Sequence, residues 1–269
     1  MEAEEWKDFS TLRKIDADLS WGRCSRAYAL EHHWFDKLKT RSENGDGSLI
    51  VFSDPYEVKL QEGRVMYRES YDFDHESPEF FDTQFGRFKN YDYGEFGGHL
   101  QRTKFKLGGN FVDVFDFGDY VYAVSNLMHL GLGMFALYQI GKKLKASCLF
   151  ATRCFDLEVA ETFQYLGRSE DADSVYLYLS GDVRYFKEAE IPQPHDKSKI
   201  LEVKRDGSFA IAKEYDYAFG SANSVARIGN RLYLGRNYMV SVVDLETGEK
   251  EFYTDKPADA VEELTKHKW

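Results

Sequence analysis

Carboxylates dominate the side chains of this chain that could do chemistry. Glu95, Asp113 and Asp116 lie in or beside short aromatic and β-branched runs. Glycoside hydrolysis needs two such acids about 5 to 10 Å apart, one kept protonated by its surroundings. Nearby rings would then serve as sugar platforms. With Asp+Glu 46 in the chain, however, an acid pair carries little information by itself. Gly131, Gly133 and Ala136 spell GxGxxA, which cradles a pyrophosphate where a strand turns into a helix. The residues that follow, FALYQIGKK, are too short a run and too β-like for that helix, so these positions read as a turn. His129, in NLMHLGLG, has no nucleophile or orienting acid beside it and reads as a histidine hydrogen-bonded within sheet packing. The adjacent His32 and His33 would face opposite ways on a strand and have no third ligand near them, so no metal site is expected. Cys24, Cys148 and Cys154 form neither a CxxC pair nor an even framework and read as buried thiols. There is no Walker lysine, no GxSxG and no kinase set, and hence no expected cofactor.

A second group of residues suggests binding rather than catalysis. Between Glu69 and Asp82 the acids Glu69, Asp72, Asp74, Glu76, Glu79 and Asp82 are interleaved with Tyr71, Phe73, Phe80 and Phe81. As a solvated edge strand and loop, the segment would bury its rings and turn its acids to water. As a docking surface for a basic protein, Glu69, Tyr71, Asp72, Phe73, Asp74, Glu76, Glu79 and Asp82 would supply anchoring and steering together. The formal net charge of -11 disfavours nucleic acid and anionic lipid and favours a basic partner, although it also serves solubility. The acidic start MEAEEWKDF has no apolar core, and no run approaches the ~20 apolar residues of a membrane span. The cytoplasm is the compartment this implies.

These residues must be held by sheet. From Asn90 to Gly141, aromatic and β-branched runs alternate with Gly94, Gly97-Gly98, Gly108-Gly109 and Gly118-Asp119, the pattern of consecutive antiparallel strands. Further strands are expected at SLIVF, YEVKL, RVMYRESY and SVYLYLSGD, and on both sides of the turn Arg205-Asp206-Gly207. The stretch Arg227 to Thr254 echoes Phe117 to Lys143: Gly229, Asn230 and Tyr233 stand where Gly118, Asp119 and Tyr122 do. Repeated units of short strands give the expected fold class: all-β, a propeller-like array of short antiparallel sheets with about five blades. With Pro 5 against Gly 21 and no proline-rich linker, the chain reads as one domain, 1–269, whose body spans 48–254. Residues 1–41 are a helical extension by the spacing of Trp6, Phe9 and Leu12, or alternatively a strand over Tyr28 to Trp34 that pairs with SLIVF. Residues 255–269 read as a C-terminal helix, and Glu188 to Lys199 as a projecting loop.

The segments YGEFGGHL, Tyr93 to Leu100, and VYAVSNLMHLGLGMFALYQI, Val121 to Ile140, together resemble a loose group of bacterial proteins with a GEFGG-like turn and a later GLxHL-like segment. In this chain Ser125-Asn126 replaces the usual glycine-containing step. Some of that group look like the immunity partners of polymorphic toxins. The resemblance implies a propeller-like body that neutralises a cognate toxin domain by covering its active site, without being an enzyme. It assigns no functional residues, because such surfaces vary with the toxin. A scaffold or regulatory protein-binding module fits the same features, and oligomeric state is open.

Overall fold

The computed structural model describes residues 5–15, 40–41, 49–50, 56–69, 78–94, 97–129, 132–152, 163–181, 197–220, 222–236 and 239–255. Within them the chain is all-β: five small open antiparallel sheets of three to five strands, the blade unit of a propeller-like array, and one two-stranded pair. Residues group into two compact units, Met1–Phe73 with Gly220–Trp269, and Asp74–Phe219.

In the first unit, β1 (Lys7–Asp8) and β2 (Arg13–Ile15) flank a 3-10 turn, Phe9–Thr11. β3 (Thr40–Arg41) pairs with β4 (Leu49–Ile50). β5 (Tyr56–Gln61) and β6 (Arg64–Glu69) form a hairpin, and β1 adds to the free side of β6. In the second unit, β7 (Phe80–Thr83), β8 (Gly86–Asp92), β9 (Gly98–Arg102) and β10 (Phe105–Gly108) make one sheet. β11 (Phe111–Phe117), β12 (Tyr120–His129), β13 (Leu132–Ile140) and β14 (Ala146–Ala151) make the next. The third comprises β15 (Phe163–Glu170), β16 (Ser174–Gly181), β17 (Ser198–Lys204) and β18 (Phe209–Tyr215). The chain then returns to the first unit with β19 (Ser224–Ile228), β20 (Arg231–Gly235), β21 (Val240–Asp244) and β22 (Lys250–Thr254), and β2 completes that sheet beside β22.

Lys7 to Ile15 therefore form a strap and not the helix that the spacing of Trp6, Phe9 and Leu12 suggests, and residues 16–39 lie outside the described residues. An i, i+3, i+6 pattern also fits a strand, a single 3-10 turn and a second strand, and here open sheet edges recruit the backbone. The Asp8 carboxylate accepts from Ser10 N at 2.9 Å and caps the turn. Phe9 meets Tyr233 and Tyr253 edge-on at 5.0 and 4.8 Å, and the Trp6 ring lies against Lys59 (4.0 Å) and Arg68 (4.8 Å). Under the strap, Tyr56 and Tyr67 stack at 5.9 Å and both donate to the Asp255 carboxylate. The connection between β3 and β4, the C-terminal helix, His32-His33 and the alternating strand at Tyr28 to Trp34 lie outside the described residues.

The second unit explains why the stretch around Gly118 is so rich in rings. The β11–β14 sheet is apolar on both faces. Phe115, Phe117, Tyr122, Val124, Phe135 and Leu137 pack against Phe163, Leu177, Leu179 and Leu201 of the following sheet. On the other face Val114, Val121, Ala123 and Ile140 pack against Phe81, Phe88 and Leu100 of the preceding one. Hence Val121 to Val124 are all fully buried, a continuous run that no half-solvated strand would tolerate. Leu132–Ile140 is a strand paired with β12, so Gly133 and Ala136 lie on a strand and not at the start of a helix, while Gly131 lies outside the described residues. The Arg205-Asp206-Gly207 turn is present, closed by Gly207 N to Lys204 O at 2.9 Å.

The internal echo is structural too, since Gly118 and Gly229 occupy equivalent hairpin turns at φ 59° and 56°. Their surroundings differ. A Cβ at Gly118 would lie 2.1 Å from the Arg205 carbonyl oxygen, whereas one at Gly229 meets nothing within 4 Å. Gly229→Ala should therefore cost only the left-handed backbone strain, about 1 kcal/mol, and Gly118→Ala about 3 kcal/mol or more, compared by urea unfolding. In the first unit, burial raises the hydroxyl pKa of Tyr56 and of Tyr67, and burial with the Glu251 contact pushes Tyr253 up to about 12. Their folded-state values exceed the unfolded one, so the folded state holds more protons above about pH 10. Stability should be intact below that pH and fall as pH rises toward about 12. Absorbance at alkaline pH should show these tyrosines ionising together with loss of circular dichroism, not before it.

Candidate functional site

Asp113 and Asp116 both sit on β11, three residues apart, and strand periodicity sends them to opposite faces. Asp113 Oδ2 accepts from Tyr165 Oη at 2.7 Å and from Arg168 Nε at 3.0 Å. The guanidinium lies 4.4 Å from the Phe115 ring centroid, and its Nη1 reaches Glu170 at 3.2 Å. Burial first, and then the Asp113 charge, raise the Tyr165 pKa well above the usual value, so its hydroxyl stays a donor. Asp113 is thus fully engaged in tying β11 to β15. Asp116 Oδ2 accepts from Gln84 N at 2.8 Å in the turn after β7, on the other side of the sheet, and desolvation raises its pKa. The structure does not bring these two acids to one pocket, and Glu95 lies outside the described residues. Among the described residues no group of three or more His, Cys, Asp or Glu side chains is placed to hold a metal.

Of the acidic and aromatic segment, Tyr71, Asp72, Phe73, Asp74 and Glu76 lie outside the described residues. Glu69 ends β6 in the first unit, opposite Tyr56, while Glu79 and Asp82 belong to the second. Asp82 forms a bidentate pair with Arg87 at 2.7 and 2.9 Å, and Glu79 is 3.4 Å from Lys89. The acids here are therefore matched by neighbouring cations. That pairing holds the Asp82 carboxyl below its ordinary range, through the Arg87 hydrogen bond.

What stands out on this sheet is a row of rings. Phe80 is 42% exposed on the edge strand β7, with Arg87 and Lys89 at 5.5 and 5.7 Å from its centroid. Lys89 also lies 4.8 Å over Tyr91, the Tyr91 ring stacks on His99 at 4.4 Å and 14°, and Tyr93, 55% exposed, leans on His99 at 5.9 Å. Phe80, Lys89, Tyr91, His99 and Tyr93 share one face because cross-strand partners Phe80↔Lys89 and Tyr91↔His99 are in register. In the sequence Phe80 stands among the rings of the acidic segment and Tyr91 and Tyr93 in a strand, and only part of their joining is visible there. The alternation Lys89, Tyr91, Tyr93 was the available signal.

Cys148 is exposed on β14, where a buried thiol is expected from its apolar neighbours; Cys24 and Cys154 lie outside the described residues. The exposure of Cys148 has a topological cause, because an edge strand turns residues to solvent that sequence context alone assigns to a core. Among the described residues no helix is long and apolar enough to cross a membrane. No family model matches the chain, and no curated protein is similar to it. The arrangement on β11 predicts unequal effects of removing its two acids. Asp113→Ala strands the Tyr165 hydroxyl and Arg168 and should lower unfolding stability by about 2 kcal/mol, whereas Asp116→Ala, at an exposed position of β11, should cost less than about 1 kcal/mol. Chemical denaturation of the two variants checks this.

Proposed function

We propose that this chain is a non-enzymatic immunity protein that seats on a cognate toxin domain and covers its active site. The observation that carries this reading is the row of exposed rings on the β7–β10 sheet, with Phe80 on its edge strand and Tyr93 at its far end. Large rings held on a rigid sheet bring contact area at small entropic cost, which is what anchors of tight complexes require. The acidic residues leading into β7, Asp72, Asp74 and Glu76, would accelerate encounter with a basic toxin surface. The overall charge of -11 supports the same polarity of partner. Neutralisation would take place in the cytoplasm, and no nucleic acid or membrane is needed for it.

The products of the genes flanking this one provide the test. One of them should arrest growth when produced alone and be rescued by co-production of this chain, with one-to-one binding by titration calorimetry. Phe80→Ala and Tyr93→Ala should each weaken that binding by about tenfold or more through faster dissociation. Joint reversal of Asp72, Asp74 and Glu76 should mainly slow association, and less so at high salt. If neither flanking product is toxic or bound, or if both ring variants protect fully, the reading fails.

A further inference from the structure

The outer edge of the β11–β14 sheet is unlike the other edges of the fold. Among the edge strands of the five larger sheets, β14, with the sequence ASCLFA, is the one that carries no charged side chain. The others have Asp8, Glu57, Lys106, Asp82, Asp113, Arg168, Lys213, Arg227 or Lys14. Charges on an edge are a general defence against pairing with another strand, and β14 lacks that defence although Ala146, Ser147 and Cys148 are exposed. The register shifts at Leu149, between Tyr138↔Cys148 and Leu137↔Phe150, and the inward hydrogen bonds Gly141 N to Lys145 O and Thr152 N to Phe135 O fix the facing of the backbone on either side of that bulge. Ala146, before it, and Ala151, after it, turn their backbone groups away from β13.

A second feature lies where β14 begins. The turn GKKLK places Lys142, Lys143 and Lys145 side by side, all exposed, with no carboxylate paired to any of them among the described residues. Three unmatched cations in a chain of net charge -11 are a local reversal of sign. We propose that β14 is a docking edge that accepts an extended polypeptide strand with an acidic C-terminal end. The polarity follows from the meander. A strand added antiparallel to β14 ends beside the residues with which β14 starts, so its last residues meet the three lysines. The added backbone takes up the outward groups of β14, and its alternate side chains fall beside Phe150 and Phe209, whose rings lie 6.3 Å apart at this rim. The edge belongs to a different sheet from the ring row, so this inference does not depend on the toxin-binding reading.

The test uses the full chain and a fluorescein-labelled peptide of alternating threonine and valine ending in three aspartates. Binding should be seen by fluorescence anisotropy, together with slowed amide exchange across residues 146–151. The same peptide with the aspartates moved to its N-terminus should bind about tenfold more weakly or worse, and one with alternate valines replaced by proline should not bind. Joint Lys142→Glu, Lys143→Glu and Lys145→Glu should weaken binding by about a hundredfold at low salt. Ala146→Pro removes an outward N–H without touching the inner ladder and should reduce binding with circular dichroism unchanged; the lysine variants decide the matter if that protein does not fold. Equal binding of the proline peptide or of the reversed peptide would reduce the site to unspecific charge attraction and overturn the proposal. So would absence of binding to the natural chain, or a solution dimer in which exchange across residues 146–151 is already slow.

Discussion

A sheet that is apolar on both faces cannot stand in water, and the β11–β14 sheet is such a sheet. Val121, Tyr122, Ala123 and Val124 point alternately to two different cores and are all fully buried. Covering one face would leave several large side chains in water, at roughly 1.5–3 kcal/mol for each. A single sandwich partner is therefore insufficient, and the chain must supply a sheet on either side. In the Asp74–Phe219 unit it does so with the hairpins before and after. The same demand fixes the ends of the strands. Gln84 Nε2 donates to Tyr120 O at 2.9 Å, and Gln139 Nε2 donates to Gly207 O at 2.9 Å, so that successive turns are tied where the faces close.

The first unit meets a related constraint with a different device. Its last sheet ends at β22 and its first at β6, and the strap from Lys7 to Ile15 pairs with both. Exposed ion pairs such as Lys14 with Glu251 contribute little there. The strap is held instead by Leu12 and Ile15, which are buried, and by the edge-on contacts of Phe9 with two tyrosines. Asp255, just after β22, accepts from the hydroxyls of both Tyr56 and Tyr67, on the neighbouring hairpin. Once those rings are stacked and hydrogen-bonded, ionising either would place a charge where water cannot reach it.

Much of this was legible in one dimension, and the exceptions have identifiable physical causes. The hairpin turns at Gly118 and Gly229 were readable because left-handed backbone selects glycine, and the two copies kept the same neighbours. The strap was not, because Trp6, Phe9 and Leu12 satisfy a helical period as well as the strand, 3-10 turn and strand that form. Asp113 and Asp116 looked equally able to supply the second acid beside Glu95 because sequence reports proximity along the strand and not the face. The partners that settle the role of Asp113 are 52 and 55 residues away, and nothing in the local sequence of Tyr165 or Arg168 points back to it. Acidity misled in a similar way at Glu79 and Asp82, whose neutralising cations arrive from the paired strand β8.

Where the faces of sheets are consumed by packing, what remains for a partner is the edges, the turns and any face the array leaves uncovered. That restriction changes how charge should be weighed in this molecule. A net charge of -11 is a property of the whole surface and acts over about a Debye length, so it biases which partners approach. It does not choose the place of contact. At the ring row the nearest acids are already paired, so contact there would be decided by Phe80, Tyr91 and Tyr93 and by the fit around them. At the start of β14 the local charge opposes that of the chain as a whole, and the adjoining strand offers backbone groups rather than rings. The two surfaces thus select by different physics, one by side-chain area and the other by main-chain pairing with a charged stop, and a partner suited to one has no reason to suit the other.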